Sequence, residues 1–398
     1  MINKNKLRVL CLDTEGGYGG SSRSLFNSIS NFQDNEIYIE VWCKKRGVIQ
    51  DQYKRISIKT RITPEMPKIT PVPKLSRNLL EFGRFIFIDW PYSKKFRNEL
   101  KKIEKDFDLI HCNSEALYWL ACWIKKNMKT PVTMHKRKNP CASVFSLLQA
   151  KVINKYISGL IFITENEKKN FNNYGLSNVP SKVIYNIVLK PEENIKPLNQ
   201  IPGDNCFKVC TLANYSFARG VDQLIDVALD LKKKYIDNIV FVVAGNIKLS
   251  KSLPGALGKV ARSGGDLSDY AKKFGVEDMF VFIGYTKHPE RVLSGCNLLI
   301  RPSREKNPWG RDVLEAFSFG IPVIATGSYS KFVENEVTGF LLDEFNVGNV
   351  SNAIIKLSNN RSLLSTLGEQ GKNRVNKLCN GRERSFELLN FWNEIVNK

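Results

Sequence analysis

One acidic side chain, Glu315, lies in a pattern of residues that could bind a nucleotide. The apolar residues 296–300 predict a buried strand, and Asn307 and Pro308 are residue types preferred at the N-cap and N1 positions of a helix. Helix N-termini attract phosphate because their first N–H groups lack partners. Glu315 falls in the first turns, where a carboxylate can accept hydrogen bonds from a ribose. The same spacing equally fits an ordinary capped helix with a solvated charge.

The residues after Asn307 complete a strand–helix–strand unit. Val313, Leu314, Ala316 and Phe317 form the apolar face of the predicted helix. Gly320 suits the position that ends a helix, Pro322 follows it, and residues 323–325 read as a second buried strand. In such units the helix N-terminus lies at the carboxyl edge of a parallel sheet, where α/β proteins bind ligands.

A glycine-rich loop stands between the first predicted strand, residues 7–12, and an amphipathic helix. Gly16, Gly17, Gly19 and Gly20 allow the backbone to approach a ligand closely, and Ser21 or Ser22 could cap the helix. The spacing fits neither the dinucleotide fingerprint nor a P-loop, which requires Gly-Lys-Ser/Thr. A tight turn without a ligand is the alternative.

The length and charge limit the classes of protein. A chain of 398 residues predicts about two domains, and a net charge of +21 predicts an anionic partner. Residues 44–105 carry a net charge of +11, with 17 Lys and Arg against 6 Asp and Glu. Residues 75–105 mix this charge with aromatic and aliphatic side chains, and Lys94, Lys95, Lys101 and Lys102 are the candidate contacts to an anionic membrane surface or acceptor. The alternative is a helix packed on the sheet with a solvated basic face. No helix-turn-helix, zinc-finger or RNA-recognition pattern accompanies the charge, so we do not expect nucleic acid as the partner.

Cysteine usage and hydropathy indicate the compartment. The nine cysteines are scattered without metal-ligand spacing apart from Cys206 and Cys210, which fit a reduced core strand better. No signal peptide is visible, and no apolar run reaches the length of a membrane-spanning helix. We therefore expect a cytoplasmic protein or one peripheral on the inner face of the plasma membrane.

Four segments are expected along the chain. They are a first domain at 1–190, a proline-containing linker at 191–203, a second domain at 204–380 and a terminal helix at 381–398 that docks on the first domain. His111 and His135 each lie near the end of a predicted strand of the first domain, at the edge where such sheets bind ligands. A histidine in that position is more often structural than catalytic.

Residues 301–342 resemble the signature of the retaining glycosyltransferases of family 4, also called glycosyl transferases group 1. In that family two glutamates eight positions apart flank a Phe-Gly or Trp-Gly pair. Glu315 matches the second glutamate and Trp309 with Gly310 match the pair, whereas Asn307 stands where the first glutamate is expected. Glu305, two residues earlier, is the candidate replacement. Weaker matches occur at Gly19 and Gly20, at His135, at Arg219 with Gly220, and at Thr338 with Gly339.

The resemblance implies an α/β protein of the GT-B fold, with two Rossmann-like domains facing across a cleft and a C-terminal helix returning to the first domain. It implies transfer of a sugar, with retention of configuration and without a metal, from a UDP- or GDP-type donor to a lipid-linked or saccharide acceptor, as in cell-surface polysaccharide assembly.

The family also assigns candidate roles. Residues near the reacting sugar would be His135, Asn307 and Glu305. Donor-binding residues would be Gly19, Gly20, Arg219, Gly284, Tyr285, Pro308, Trp309, Gly310, Arg311, Asp312 and Glu315. Arg137, together with the neighbouring Lys136 and Lys138, would face an anionic acceptor. Asn214 replaces the arginine of the family's diphosphate clamp.

Two alternatives remain from sequence. A nucleotide-sugar epimerase shares the architecture but would use no acceptor, and the long basic and aromatic region argues against it. A catalytically weakened binding subunit is suggested by Asn307 and Asn214, which replace charged residues of the family. Neither change removes the phosphate-binding helix end, which favours an active enzyme.

Overall fold

The structure is a computed structural model that describes residues 6–17, 19–33, 36–175, 178–203 and 205–398. The chain divides into two compact units, one comprising Met1–Ile187 with Cys379–Lys398 and the other Val188–Leu378. Residues 1–5, Tyr18 of the glycine-rich loop and residue 204, the expected start of the second domain, lie outside the described residues.

A parallel sheet forms the centre of the first unit. Its strands are β1 (Leu7–Asp13), β2 (Ile37–Cys43), β3 (Lys59–Ile62), β4 (Leu109–Cys112), β5 (Val132–Lys136), β6 (Gly159–Phe162) and β7 (Ser181–Val183). They lie in the order β3-β2-β1-β4-β5-β6-β7, and every pair is parallel. The strand order reverses between β1 and β4, and such a switch point opens a crevice at the carboxyl ends of the strands.

Helices cover both faces of this sheet. They are α1 (Gly20–Ile29), α2 (Ile49–Arg55), α3 (Leu75–Arg84), α4 (Trp90–Tyr92), α5 (Lys94–Lys102), α6 (Tyr118–Asn127), α7 (Val144–Tyr156), α8 (Glu165–Asn172) and, from the end of the chain, α16 (Gly381–Val396). A π-helical segment, Phe85–Asp89, joins α3 to α4. The start of α1 at Gly20, with Gly19 at its N-cap, shows that Ser21 and Ser22 do not cap it.

The terminal helix belongs to the core of the first unit. Trp392 is fully buried in a cluster with Val9 and Val41 of the sheet, and α16 also packs against α1. Gly159 admits this helix, because a Cβ there would lie 2.9 Å from the Ile395 side chain. One face of the sheet is thus covered by residues from the far end of the sequence.

The second unit repeats the architecture. Its strands are β8 (Phe207–Leu212), β9 (Ile239–Ala244), β10 (Phe280–Gly284), β11 (Leu298–Arg301), β12 (Val323–Thr326) and β13 (Gly339–Leu342), in the order β10-β9-β8-β11-β12-β13. Its helices are α9 (Gln223–Lys233), α10 (Gly255–Arg262), α11 (Leu267–Lys273), α12 (Pro289–Leu293), α13 (Arg311–Ser318), α14 (Val347–Asn359) and α15 (Arg361–Leu378). The prediction of two Rossmann-like domains is confirmed.

The segment expected to be a linker is fixed to the second unit. Arg291 donates from Nε to the Lys196 carbonyl and from Nη2 to the Pro197 carbonyl, both at 3.0 Å. Ile201 is buried, and Gly295 lies so close that a Cβ there would come within 3.2 Å of it. Among the described residues, no helix is both long and apolar enough to cross a membrane.

Candidate functional site

Two loops at the carboxyl ends of neighbouring strands form the centre of the candidate site in the second unit. The loop after β8 and the loop after β11 are joined by Arg304, whose backbone N–H donates to the Ala218 carbonyl at 2.9 Å. Its guanidinium donates to the Phe217 carbonyl at 2.8 Å and to both carboxylate oxygens of Asp222. The same guanidinium lies 4.0 Å from the centre of the Phe217 ring. Arg304 therefore fixes the shape of the loop that carries Arg219.

Gly220 allows the two loops to approach each other. Its φ is +69°, and a Cβ there would lie 1.9 Å from the Pro302 carbonyl oxygen. The Gln223 side chain donates to that same carbonyl at 2.8 Å. Arg219, directly before this glycine, is exposed, and its side chain makes no hydrogen bond or ion pair within the part of the chain that the structure describes. A fixed loop thus presents an available guanidinium.

The helix that carries Glu315 begins later than the sequence predicts. α13 begins at Arg311 with Gly310 at its N-cap, so the prediction that Asn307 and Pro308 start the helix is wrong. Asn307 lies in the preceding loop, where its side-chain oxygen is 3.5 Å from the backbone nitrogen two residues on. Without the N-cap position, Asn307 cannot present its side chain to the first N–H groups of α13.

Arg301, the last residue of β11, explains why α13 begins later than predicted. Its Nε donates to the Asn307 carbonyl at 2.8 Å, and its Nη1 donates to both oxygens of Asp312 at 2.8 and 2.6 Å. A Cβ on Gly310 would lie 2.4 Å from the Asp312 carboxylate. These contacts hold residues 302–310 as a loop, and they occupy the Asp312 carboxylate within the protein.

Glu315 is held in position by its neighbour one turn earlier. Arg311 donates from Nε and Nη2 to Glu315 Oε1 at 3.2 and 3.1 Å. Both side chains are mostly buried, at 14% and 13% exposure. The Glu315 carboxylate is therefore oriented before a ligand arrives, as a binding residue should be.

Other predicted donor-binding residues differ in accessibility. Trp309 and Pro308 are buried, and the Trp309 ring lies 5.5 Å from that of Phe332, which makes it a packing residue. Glu305 is exposed, and its side chain makes no hydrogen bond or ion pair among the described residues. The loop thus presents Glu305, but not Trp309, to solvent.

A cavity of about 340 Å³ opens at the carboxyl ends of β8 and β9. It is lined by Asn214, Tyr215, Asn246, Lys248, Leu249 and Ser250. Asn214 accepts a hydrogen bond from the Asn246 backbone at 2.8 Å, and the Tyr215 N–H donates to the Asn246 carbonyl at 2.6 Å. Asn214 therefore joins two loops in the place where the family has an arginine. On the far side of β9, Gly284 has a φ of +74° and Tyr285 is exposed.

In the first unit, the glycine-rich loop adjoins the N-terminus of α1. Gly16 packs closely against the loop that follows β2. A Cβ at this position would lie 1.7 Å from the Lys45 carbonyl oxygen. Gly19 and Gly20 are exposed, and a Cβ added to Gly19 would meet no described atom within 4 Å. Glu15 forms ion pairs with Lys68 at 2.7 Å and Lys45 at 3.1 Å.

His135 lies in a chain of buried hydrogen bonds. His135 Nδ1 is 2.8 Å from His111 Nε2, and His111 Nδ1 is 2.9 Å from the Thr133 hydroxyl. Burial and the nearby positive charge of Arg137 lower the pKa of His111 to about 3 and hold the pKa of His135 well below its usual value. Both imidazoles are therefore neutral at physiological pH.

The basic residues after His135 do not all face outward. Lys136 is buried, with its ammonium 3.6 Å from Glu115, and this corrects the expectation that it faces an anionic acceptor. Arg137 is half-buried, and its guanidinium donates to the backbone carbonyl of Asn113 at 2.8 Å. Lys138 alone of the three is exposed.

Comparison with known proteins identifies related sequences and related folds. The sequence model described as Glycosyl transferases group 1 matches residues 192–374, and the model described as Glycosyltransferase Family 4 matches residues 18–188. The two matches follow each other almost without a gap.

The glycogen synthase of Thermodesulfovibrio yellowstonii is 31% identical over 28% of this chain and 23% of its own length. A capsular polysaccharide biosynthesis glycosyltransferase of Staphylococcus aureus, CapM, is 25% identical over 44% of this chain and 41% of its own. The chain thus spans less than half of these curated relatives.

The crystal structure of Anabaena HepE in complex with UDP is similar in fold. It has a TM-score of 0.71 and 18% sequence identity, and the match covers 98% of this chain and 100% of that chain. The two parallel sheets and this likeness define a GT-B protein made of two Rossmann-like domains. The chain belongs to the group 1 glycosyltransferases.

Several residues of the site were missed by the sequence reasoning. Arg301 ends β11, and Arg304 lies in the loop before α13. The sequence feature that could have pointed to them is the presence of two arginines beside a motif that contains carboxylates. His111 was placed, like His135, near the end of a strand, but the contact between the two was missed. Its hydrogen bond to His135 depends on strand register, which the sequence does not reveal. Among the described residues, no group of three or more His, Cys, Asp or Glu side chains could hold a metal ion.

Proposed function

We propose that this protein transfers a sugar, with retention of anomeric configuration, from a nucleotide diphosphate sugar to a lipid-linked or saccharide acceptor in cell-surface polysaccharide biosynthesis. The observation that carries the proposal is Arg219, an exposed cation on a loop that Arg304 and Gly220 hold in one shape. The name of CapM supports the pathway, and the HepE structures with UDP and with UDP-glucose support the donor class.

Three groups of the second unit would bind the donor. Arg219 would form paired, charge-assisted hydrogen bonds to the diphosphate, for which a guanidinium is well suited. The first N–H groups of α13 would bind phosphate oxygens. Glu315, oriented by Arg311, would accept hydrogen bonds from the ribose hydroxyls. The cavity beside Asn214 would accommodate part of the nucleoside, which we expect to be of the UDP or GDP type.

The reaction would need no protein base. The bond between the anomeric carbon and the phosphate oxygen breaks, and the acceptor oxygen bonds to that carbon on the same face. The acceptor proton passes to the departing phosphate. Arg219 and the helix end would stabilise the developing diphosphate charge, so we propose that transfer does not require a divalent metal.

His135 would contact the sugar or the acceptor through its Nε2. Because the imidazole is neutral, it would act as a hydrogen-bond partner to a hydroxyl and not as a cation. Asn307 and Glu305, in the loop before α13, would lie near the transferred sugar. Glu305 has the freedom to reach it, since its exposed side chain makes no hydrogen bond or ion pair among the described residues.

The test is donor turnover with a lipid extract as acceptor. Purified protein would be incubated with UDP- and GDP-sugars, with and without EDTA, and products would be identified by mass spectrometry. Nuclear magnetic resonance of the product would report its anomeric configuration. We expect sugar on a lipid or saccharide, an unchanged anomeric configuration and no effect of EDTA. Inversion of configuration would contradict the retaining mechanism, and loss of turnover in EDTA would contradict metal independence.

Two further outcomes would replace the proposal. A donor that is converted to its epimer or to free sugar with no glycosylated acceptor would favour an epimerase. A nucleotide-sugar that binds but is not consumed would favour a binding subunit, in which Asn307 and Asn214 mark lost activity.

A further inference from the structure

An unusual set of apolar side chains is exposed on the first unit. It lies along the helical residues from α3 to α4 and includes Phe87 at 81% and Leu80 at 75% exposure. We define this apolar surface as Leu75, Leu79, Leu80, Phe87, Ile88 and Tyr92. Single exposed apolar residues are ordinary, but six within one helical run of 18 residues indicate an interaction site.

The same helical run also supplies the core, so the exposure is not a sign of loose packing. Phe85 is buried, and the Phe82 ring lies 5.5 Å from the ring of Trp119. The π-helical turn at Phe85–Asp89 adds a residue to one turn and rotates the residues after it. Phe87, two positions after Phe85, lies on the opposite side of the helix and is exposed, as is Ile88.

The start of α7 extends the apolar surface. The Asn78 side chain donates to the Ser143 hydroxyl at 3.0 Å, and the Phe82 ring lies 5.2 Å from that of Phe145. These contacts place α7 beside α3. Val144 on the first turn of α7 is 62% exposed, so a second element contributes an apolar side chain next to the first.

Positive charge accompanies the apolar surface. Lys94, Lys95, Lys101 and Lys102 on α5 are exposed, and none forms an ion pair within the described part of the chain. The two acidic residues nearest the apolar surface in sequence, Glu81 and Asp89, each lie 3.8 Å from an arginine. The surface therefore carries an excess of cations whose charge no neighbouring carboxylate offsets.

We infer that this surface binds the interface of an anionic lipid bilayer, with the apolar side chains among the acyl chains and the lysines at the head groups. Apolar insertion and cationic contact together give stable attachment where either alone is weak. Trp90, stacked under Arg97 at 4.1 Å, is of the amphipathic type that prefers this depth. A second copy of the chain is the less favoured occupant, because two surfaces of like charge on molecules of net charge +21 would repel each other.

The test uses full-length protein and vesicles in a flotation assay. Vesicles of equal parts phosphatidylcholine and phosphatidylglycerol should bind the protein, and pure phosphatidylcholine vesicles should bind it weakly. The double variant Leu80→Ser and Phe87→Ser should lower partitioning by about tenfold or more. Tyr235→Ser, at a 94% exposed position of the second unit, is the matched control and should change nothing.

A second pair of variants tests the charge. Exchange of Lys94, Lys95, Lys101 and Lys102 for Glu should weaken binding to the anionic vesicles by about a hundredfold or more at low salt. The same exchange at Lys233, Lys272, Lys273 and Lys372 alters net charge equally, but on the second unit, and should have a much smaller effect.

The inference is overturned if the Leu80 and Phe87 double variant, with an unchanged melting temperature, binds anionic vesicles as the wild type does. It is also overturned if wild type binds neutral vesicles equally well. A wild-type dimer that the double variant converts to a monomer, with vesicle binding intact, would assign the surface to self-association. No nucleotide is present in these assays, so their failure would leave the proposed sugar transfer unaffected.

Discussion

The tautomer of His135 depends on two buried neighbours, His111 and Thr133. Each neutral imidazole carries one N–H, so at the 2.8 Å contact between His135 Nδ1 and His111 Nε2 one ring donates and the other accepts. If His111 donates, the proton of His135 lies on Nε2. If His135 donates, its Nε2 is an acceptor and the Thr133 hydroxyl accepts from His111 Nδ1. His111 is thus a positioning residue that decides which hydrogen bond His135 offers.

Substitution of His111 should separate this role from simple packing. His111→Phe leaves His135 Nδ1 buried without its partner and should lower kcat/KM by about tenfold or more. His111→Gln places an amide near the original Nε2 and should restore part of the loss and the wild-type pH profile. Equal activity of the two variants would contradict the positioning role.

Glu167 on α8 gives a second prediction at the residue scale. Burial raises the pKa of Glu167 to about 7 although Thr164 donates to its carboxylate, and Lys136 and Glu115 are the charged groups that act on it. The folded state therefore holds a proton between pH 4.5 and about 7 that the unfolded state has released. The resulting stability is present at low pH and is lost as the pH rises through about 7.

Glu167→Gln should remove this loss, since the amide resembles the protonated acid. We expect the variant to be more stable than wild type by about 3 kcal/mol at pH 8, with the difference vanishing near pH 4. Urea unfolding at both pH values measures it. Glu369→Gln, at an exposed helix position, is the matched control for the substitution itself. A constant difference between Glu167→Gln and wild type would refute the raised pKa.

At the scale of elements, two residues keep the loop after β8 close to the loop after β11. Arg304 forms hydrogen bonds between the loops, and Gly220 allows their close approach because it has no Cβ. Gly220→Ala should force the Pro302 carbonyl away, since the added Cβ would lie 1.9 Å from it. We expect a loss of about 2 kcal/mol or more in stability, and a weaker affinity for the donor nucleotide.

The matched control for this prediction is Gly255→Ala. Gly255 has a similar φ of +58°, but a Cβ there would meet nothing within 4 Å. It should cost about 1 kcal/mol, from backbone strain alone, and leave nucleotide affinity intact. Thermal unfolding and nucleotide titration of both variants measure these effects. Equal losses of stability and affinity in the two variants would argue against a role for the contact between Gly220 and Pro302.

The same loops show where sequence reasoning succeeds and where it stops. Residues 298–301 and 323–326 are apolar strands of the expected kind, and α13 has the predicted apolar face with Val313 and Leu314 buried. The helix start was misplaced by about three residues, because Asn307 and Pro308 have the right local preferences. The contacts of Arg301 with Asp312 overrode those preferences, and they depend on tertiary structure.

At the scale of the whole molecule, the paired α/β units follow from alternating strand and helix patterns, and so the fold could be predicted. The sequence did not show which apolar residues of the segment 75–105 are exposed and which are buried. Phe85 and Phe87 are the same residue type two positions apart, yet one is buried and the other exposed. Helical spacing places residues two apart on different faces, but it does not say which of the two faces the sheet. The structure assigns Phe85 to the core and Phe87 to the apolar surface.

The central claim, that the second unit binds the diphosphate of a nucleotide through Arg219 and the ribose through Glu315, is tested most directly by isothermal titration with UDP, GDP and ADP. Wild type should bind UDP or GDP selectively with micromolar affinity. Arg219→Ala should weaken that binding by about tenfold or more, Glu315→Ala should abolish it, and Lys233→Ala should not change it. Unaltered affinity in the Arg219 and Glu315 variants, or no binding of any nucleotide by wild type, would contradict the claim.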